Sequence, residues 1–135
     1  MLFRSTVGIA VNSSKTPLFT LDERKRIISK VTEHIPNIEI DVFDGLLAEY
    51  VNKHGFEAVV RGLRATTDFE YEIQMAQMNA RLYTGGTETV FLMTDPRYSF
   101  ISSSLIKEVV SYGGDVDGLL PDYANEMIKT KVDNQ

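Results

Sequence analysis

Hydrophobic and polar positions alternate between two periods along the chain. Thr6–Val11 (TVGIAV) is short, apolar and β-branched, which predicts a buried strand. Asn12–Phe19 is a polar loop with Lys15 and Pro17. Thr20-Leu21-Asp22-Glu23 fits a capping box, and the helical period after it brings Ile27, Ile28 and Val31 onto one face. That helix is expected over Leu21–Glu33, with Pro36 stopping it. Ile38–Phe43 (IEIDVF) alternates as a second strand. Gly45–His54 reads as a short helix ended by Gly55. Ala58–Val60 reads as a third strand, Asp68–Leu82 as a longer helix with a Tyr71, Met75, Met78, Leu82 stripe, and Thr89–Met93 as a fourth strand. A helix opens at Ile101-Ser102-Ser103-Ser104, runs to Tyr112 and is closed by Gly113-Gly114; a last helix follows Pro121. Strands alternating with helices predict an α/β fold, a parallel sheet with helices on both faces.

At 135 residues and with no internal repeat, low-complexity run or linker, the chain reads as a single domain over residues 1–135. It contains no cysteine, which removes a disulfide scaffold, a thiolate zinc site and a cysteine nucleophile together. With only two histidines, a histidine-rich metal site is disfavoured, and no metal-ligand cluster is read. A net charge of −5 argues against a nucleic-acid partner but leaves room for a local basic pocket. No apolar run reaches the roughly 20 residues that cross a bilayer, so neither a membrane partner nor a signal peptide is read and the expected location is the cytoplasm.

Ligands of parallel sheets gather beyond the carboxyl ends of the strands. The segments expected there carry Lys15, the pair Arg61 and Arg64, and the serines at Ser102–Ser104. Cations, hydroxyls and free amides at one sheet edge of an acidic protein point to a phosphorylated, nucleotide-like ligand. Each residue also has a plainer reading. Lys15 by itself is a solvated loop lysine, Gly62 serves a turn, and Ser102–Ser104 is an ordinary N-cap. The methionine stripe is core. Glu72 and Asn79, seven apart, form a site wall or an exposed face, and spacing favours exposure. His34 and His54 sit at helix ends, where the dipole favours them, and neither is given a catalytic role. Arg61, following an apolar strand directly, is the residue whose functional reading outweighs the plain one.

Several of these segments, in order, resemble bacterial phosphopantetheine adenylyltransferase. They are Ser14–Arg24 (SKTPLFTLDER), Arg61-Gly62-Leu63-Arg64, Asp68–Glu72 (DFEYE), Gln77-Met78-Asn79, Ser99–Glu108 (SFISSSLIKE), and Gly114-Asp115-Val116 with Leu120-Pro121. The resemblance covers nearly everything from Val7 to Lys131, and the Ile-Ser-Ser-Ser variant separates it from related nicotinate-nucleotide and glycerol-phosphate enzymes. It implies a Rossmann-like nucleotidyltransferase fold. It also implies adenylyl transfer from ATP to 4′-phosphopantetheine, giving dephospho-CoA and pyrophosphate in coenzyme A synthesis. Mg²⁺ would accompany ATP, coenzyme A would compete for the site, and the complete enzyme would be a homohexamer. By resemblance, Lys15 and Arg61 hold the phosphopantetheine phosphate, with Leu47, Met75 and Asn79 along the pantetheine. Gly62, Leu63, Arg64 and Glu72 belong to the ATP site, together with Tyr98, Ser99, Phe100, Ile101, Ser102, Ser103 and Ser104.

The chain departs from that pattern at its start. The family opens with a strand, a Gly-Thr-Phe-Asp-Pro-like loop and a Thr/His-x-Gly-His helix, and the segment has no counterpart here; His54-Gly55 follows a helix and is not that motif. The resemblance starts near Val7, so residues 1–5 read as a foreign leader on a truncated frame. The missing strand would lie between those at Val7–Val11 and Ala58–Val60, so the chain alone is expected to be marginally stable or aggregation-prone. Losing a single preorganised transition-state donor costs about 10²–10³-fold in rate, so these residues are expected to be inactive or nearly so. The alternatives are a catalytically dead ATP- or coenzyme A-binding module and a structural partner in a mixed oligomer.

Overall fold

The computed structural model describes residues 3–12, 14 and 16–134. The chain divides into two compact units, one comprising Met1–Asp44 with Ile101–Gln135 and the other Gly45–Phe100. Each contains one parallel strand pair joined through a helix.

In the first unit β1 (Ser5–Ala10) pairs in parallel with β2 (Ile38–Phe43), Ser5 opposite Ile38 and Ala10 opposite Phe43. The ladder continues one bond further, from the Val11 amide to the Phe43 carbonyl at 2.9 Å. Helix α1 (Leu21–Val31) connects the strands and packs on both. Its capping box is formed: the Glu23 amide donates to Thr20 Oγ1 at 3.2 Å and the Thr20 amide to Glu23 Oε2 at 2.8 Å. Two expectations are corrected here. α1 ends at Val31 rather than Glu33, and Pro36 is not its stop. Thr32 takes the C-cap position, its amide and its hydroxyl both donating to the Ile28 carbonyl. β1 is also only partly buried, Ile9 alone being enclosed, because among the described residues it is paired along one edge.

Helices α4 (Ser103–Ser111) and α5 (Asp122–Asp133) complete this unit. They enclose its core of Ile106, Val110, Val116 and Ile128. Gly113, at φ 73°, supplies the left-handed turn that lets the chain leave α4. Lys131 on α5 reaches back to Glu23 on α1, its Nζ 2.8 Å from Oε1 and 2.9 Å from Oε2.

The Lys131 hydrogen bonds first, and the Thr20 amide second, hold the Glu23 carboxyl below the usual glutamate range. A carboxylate whose folded pKa is depressed adds stability above its unfolded pKa, about 4.3 for glutamate, and the contribution is lost as pH falls through the folded value. Glu23→Gln is therefore expected to lower the urea midpoint at pH 7 and to leave it nearly unchanged at pH 2–3. Parallel losses at both pH values would show that the pair does not carry this dependence.

In the second unit β3 (Ala58–Leu63) pairs in parallel with β4 (Glu88–Met93), and α3 (Thr66–Leu82) crosses between them. Helix α2 (Leu47–His54) packs on α3 and ends at Gly55, whose φ of 66° is the left-handed cap the sequence predicts. Asn52 ties α2 to the end of α3: its Nδ2 donates to the Leu82 carbonyl at 2.8 Å and its Oδ1 accepts from the Thr84 amide at 3.0 Å. A 3₁₀ turn at Pro96–Tyr98, capped by Asp95, was not anticipated.

Where a single sheet is expected, the described residues form two two-stranded sheets, β1-β2 and β3-β4. The α3 stripe is corrected as well. Tyr71, Met75, Met78 and Leu82 are exposed, while Glu72 and Asn79 turn inward. On β3 and β4 the face away from α3 carries Val60, Val90 and Leu92, all exposed. Among the described residues no helix is long and apolar enough to cross a membrane.

Candidate functional site

The predicted site residues fall in both units. Leu47, Arg61 to Arg64, Glu72, Met75, Asn79 and Tyr98 to Phe100 lie in the second; Ile101 to Ser104 lie in the first. Lys15 lies outside the described residues.

β3 runs three residues past its expected end at Val60, so Arg61 is inside the strand rather than beyond it. Parallel pairing extends the strand: Arg61, Gly62 and Leu63 stand opposite Phe91, Leu92 and Met93 of β4. Strand alternation then sends Arg61 and Leu63 to the same face as Val59. That face meets α3. Leu63 is 3% exposed and its side chain is core. Gly62 has an ordinary φ and open space where a Cβ would stand, so the turn expected of it is not there.

Arg61 meets Glu72 side-on. Its Nε donates to Oε2 at 2.7 Å and its Nη2 to Oε1 at 2.6 Å. The carboxylate end is walled in, at 13% side-chain exposure, and the arginine is 47% exposed. The Glu72 hydrogen bonds raise the already high Arg61 pKa, so the guanidinium is charged at every accessible pH. Arg64, just past the strand, pairs with Asp68, Nε to Oδ2 at 2.9 Å. Asp68 and Glu72 are one helical turn apart on α3, and the arginines that they hold are three apart on β3. Arg64 is thereby fixed just past the carboxyl end of a parallel strand, the position from which such sheets bind anions, with Arg61 held two residues inside that end.

The remaining residues of this unit are dispersed. Asn79 is buried at 8% exposure, whereas Met75, one turn earlier, is 40% exposed. Leu47 opens α2 and is half-buried. Tyr98 lies under the Arg97 guanidinium, Ser99 Oγ donates to the Pro96 carbonyl at 3.0 Å, and Phe100 is exposed.

In the first unit, Ser102 is the N-cap of α4, its Oγ accepting from the Leu105 amide at 3.1 Å. This is the plainer of its two readings. Ser103 and Ser104 are exposed at the same helix start. All three open on a cleft of about 730 Å³ whose walls include Leu18, Phe19, Ile27 and Ile28. Arg24 and Lys107 also line it, and among the described residues the buried Arg24 Nε has no hydrogen-bond partner. A nucleotide-sized cleft with a helix N-terminus and two cations is suited to a phosphorylated ligand.

Sequence reasoning gave Glu72 a ligand-binding role and did not see it as the partner of Arg61. It named Arg24, Lys107 and Asp68 only within the segments that carry the resemblance and gave none of them a ligand role. The four-residue step from Arg64 to Asp68 was a usable signal. Nothing local pairs Arg61 with Glu72, eleven residues on.

A family model described as cytidylyltransferase-like matches residues 3–109, a span that takes in both parallel strand pairs, the two held arginines and the start of α4. The chain therefore belongs to the cytidylyltransferase-like family and stands among the nucleotidyltransferases.

Proposed function

We propose that the reaction served by this chain is adenylyl transfer from ATP to 4′-phosphopantetheine, giving dephospho-CoA and pyrophosphate. The observation that carries the reading is the pair Arg61 and Arg64, held by α3 carboxylates at the carboxyl end of β3 in a nucleotidyltransferase-family chain. Arg61 takes the phosphopantetheine phosphate, which attacks the α-phosphorus of ATP as pyrophosphate leaves. Arg64 serves the ATP phosphates; by the resemblance, the hydroxyls and amides at the start of α4 are also assigned to the nucleotide. By the resemblance, Lys15 is also assigned to the phosphopantetheine phosphate, Glu72 to the ATP site, and Leu47, Met75 and Asn79 to the pantetheine arm. The chemistry asked of these residues is positioning and charge stabilisation, with no covalent intermediate.

Mg²⁺ would accompany ATP, bound to its phosphates. Coenzyme A, which contains the product, would compete for the same contacts, and the working form is a homohexamer. The 135 residues hold no Thr/His-x-Gly-His motif, so by themselves they are expected to bind both substrates and turn them over slowly. Calorimetry with each substrate, followed by a pyrophosphate-release assay on mixing, tests this. Saturable binding of both ATP and 4′-phosphopantetheine is expected. Binding of a nucleotide with no response to 4′-phosphopantetheine would overturn the substrate assignment and leave the family.

A further inference from the structure

We infer that Glu72 is a positioning residue: it locks the Arg61 guanidinium so that the edge left over grips a phosphate oxyanion. The inference rests on the reading above only for the identity of the anion.

A guanidinium has five N–H donors in a rigid plane. Glu72 takes two of them, the Nε–H and one on Nη2, through two short bonds on one edge. Both donors of Nη1 and the second of Nη2 remain, and among the described residues none of these three is satisfied. They point away from the carboxylate, so an anion can approach along the opposite edge without displacing Glu72. The burial asymmetry keeps the arrangement in that sense. Glu72 is enclosed and Arg61 half-exposed. Moving the guanidinium off to a ligand would strand an enclosed carboxylate without its cation, a costly state. Glu72 is therefore the fixed end of the pair and the free Arg61 edge the presenting end. Phosphate esters, with several oxygens at the spacing of adjacent N–H groups, suit that edge better than a halide or a single carboxylate oxygen.

Charge alone predicts the opposite of positioning. Removing a carboxylate beside a cation strengthens attraction for anions. If instead Glu72 orients the fork, Glu72→Gln, which turns an N–H toward the Arg61 donors, frees the guanidinium to rotate and weakens phosphate binding.

The experiment is a titration of the full chain with inorganic phosphate, read at the backbone amide of Gly62 by NMR, for wild type, Glu72→Gln and Arg61→Lys. Wild type is expected to respond saturably, Glu72→Gln with about tenfold weaker affinity, and Arg61→Lys comparably weakened despite its kept charge. Equal or tighter binding by Glu72→Gln overturns the inference, as does a wild type that does not respond to phosphate. Should Glu72→Gln not fold, Arg61→Lys decides: wild-type affinity there means that only charge matters and overturns the inference. No nucleotide enters this test. A failure of adenylyl transfer with phosphate still bound at Arg61 would count against the proposed reaction alone.

Discussion

Arg61→Ala is expected to weaken 4′-phosphopantetheine binding by about 10- to 10²-fold, the equivalent of one or two charge-assisted hydrogen bonds at roughly 1.5–3 kcal/mol in all. ATP affinity is expected to change by much less, since the proposal assigns its phosphates to Arg64 rather than Arg61. The same substitution leaves Glu72 enclosed and unpaired. Breaking a fully buried pair costs about 3–5 kcal/mol, and the half-exposure of Arg61 reduces that to about 1–2 kcal/mol here. The double variant Arg61→Ala/Glu72→Ala removes the stranded charge. It should recover most of the lost stability and none of the lost affinity. Calorimetry for both ligands and urea unfolding for the three proteins separate the two effects. Loss of ATP binding with phosphopantetheine binding intact would mean that the roles of Arg61 and Arg64 are exchanged.

Ile106→Ala is expected to be the most destabilising simple truncation in the first unit. Ile106 is 4% exposed and packs in one cluster with Val110, Val116 and Ile128, where α4 meets α5. Truncating a buried isoleucine to alanine typically costs about 2–5 kcal/mol, the lost transfer energy plus an unfilled cavity. At a few degrees per kcal/mol, that lowers Tm by on the order of 10 °C. The neighbouring Leu105, 37% exposed, is the control; Leu105→Ala should cost much less. Hydrogen exchange should localise the loss to α4 and α5 before it reaches the β3-β4 pair. Equal losses for the two variants would mean that the cluster does not hold this unit together.

The element order and most element ends were legible because their causes are local. Thr20 and Glu23 are three apart and form the predicted capping box. Gly55 and Gly113 close helices in the left-handed conformation that only glycine adopts cheaply. The β-branched and alternating runs did become strands. The end of β3 was misread at Val60 because Arg61 and Gly62 have no intrinsic strand preference; β4 recruits them by pairing.

Period, capping and spacing act within a few residues, and they were enough to read an α/β chain of alternating strands and helices with two arginines close to one strand end. The tertiary structure alone decided which face of each element is buried. The Tyr71, Met75, Met78, Leu82 stripe has the spacing of a core face yet is exposed, and Glu72 and Asn79, whose spacing favoured solvent, turn inward. A helix cannot announce its packing face when the strand it meets carries an arginine. The Arg61–Glu72 ion pair lies where α3 meets β3, so the inward face of α3 is the one that carries Glu72. Ser102, by contrast, caps α4 for a local reason that its sequence position already carries: the α4 amides, left without carbonyl partners at the helix start, take the oxygen three residues before.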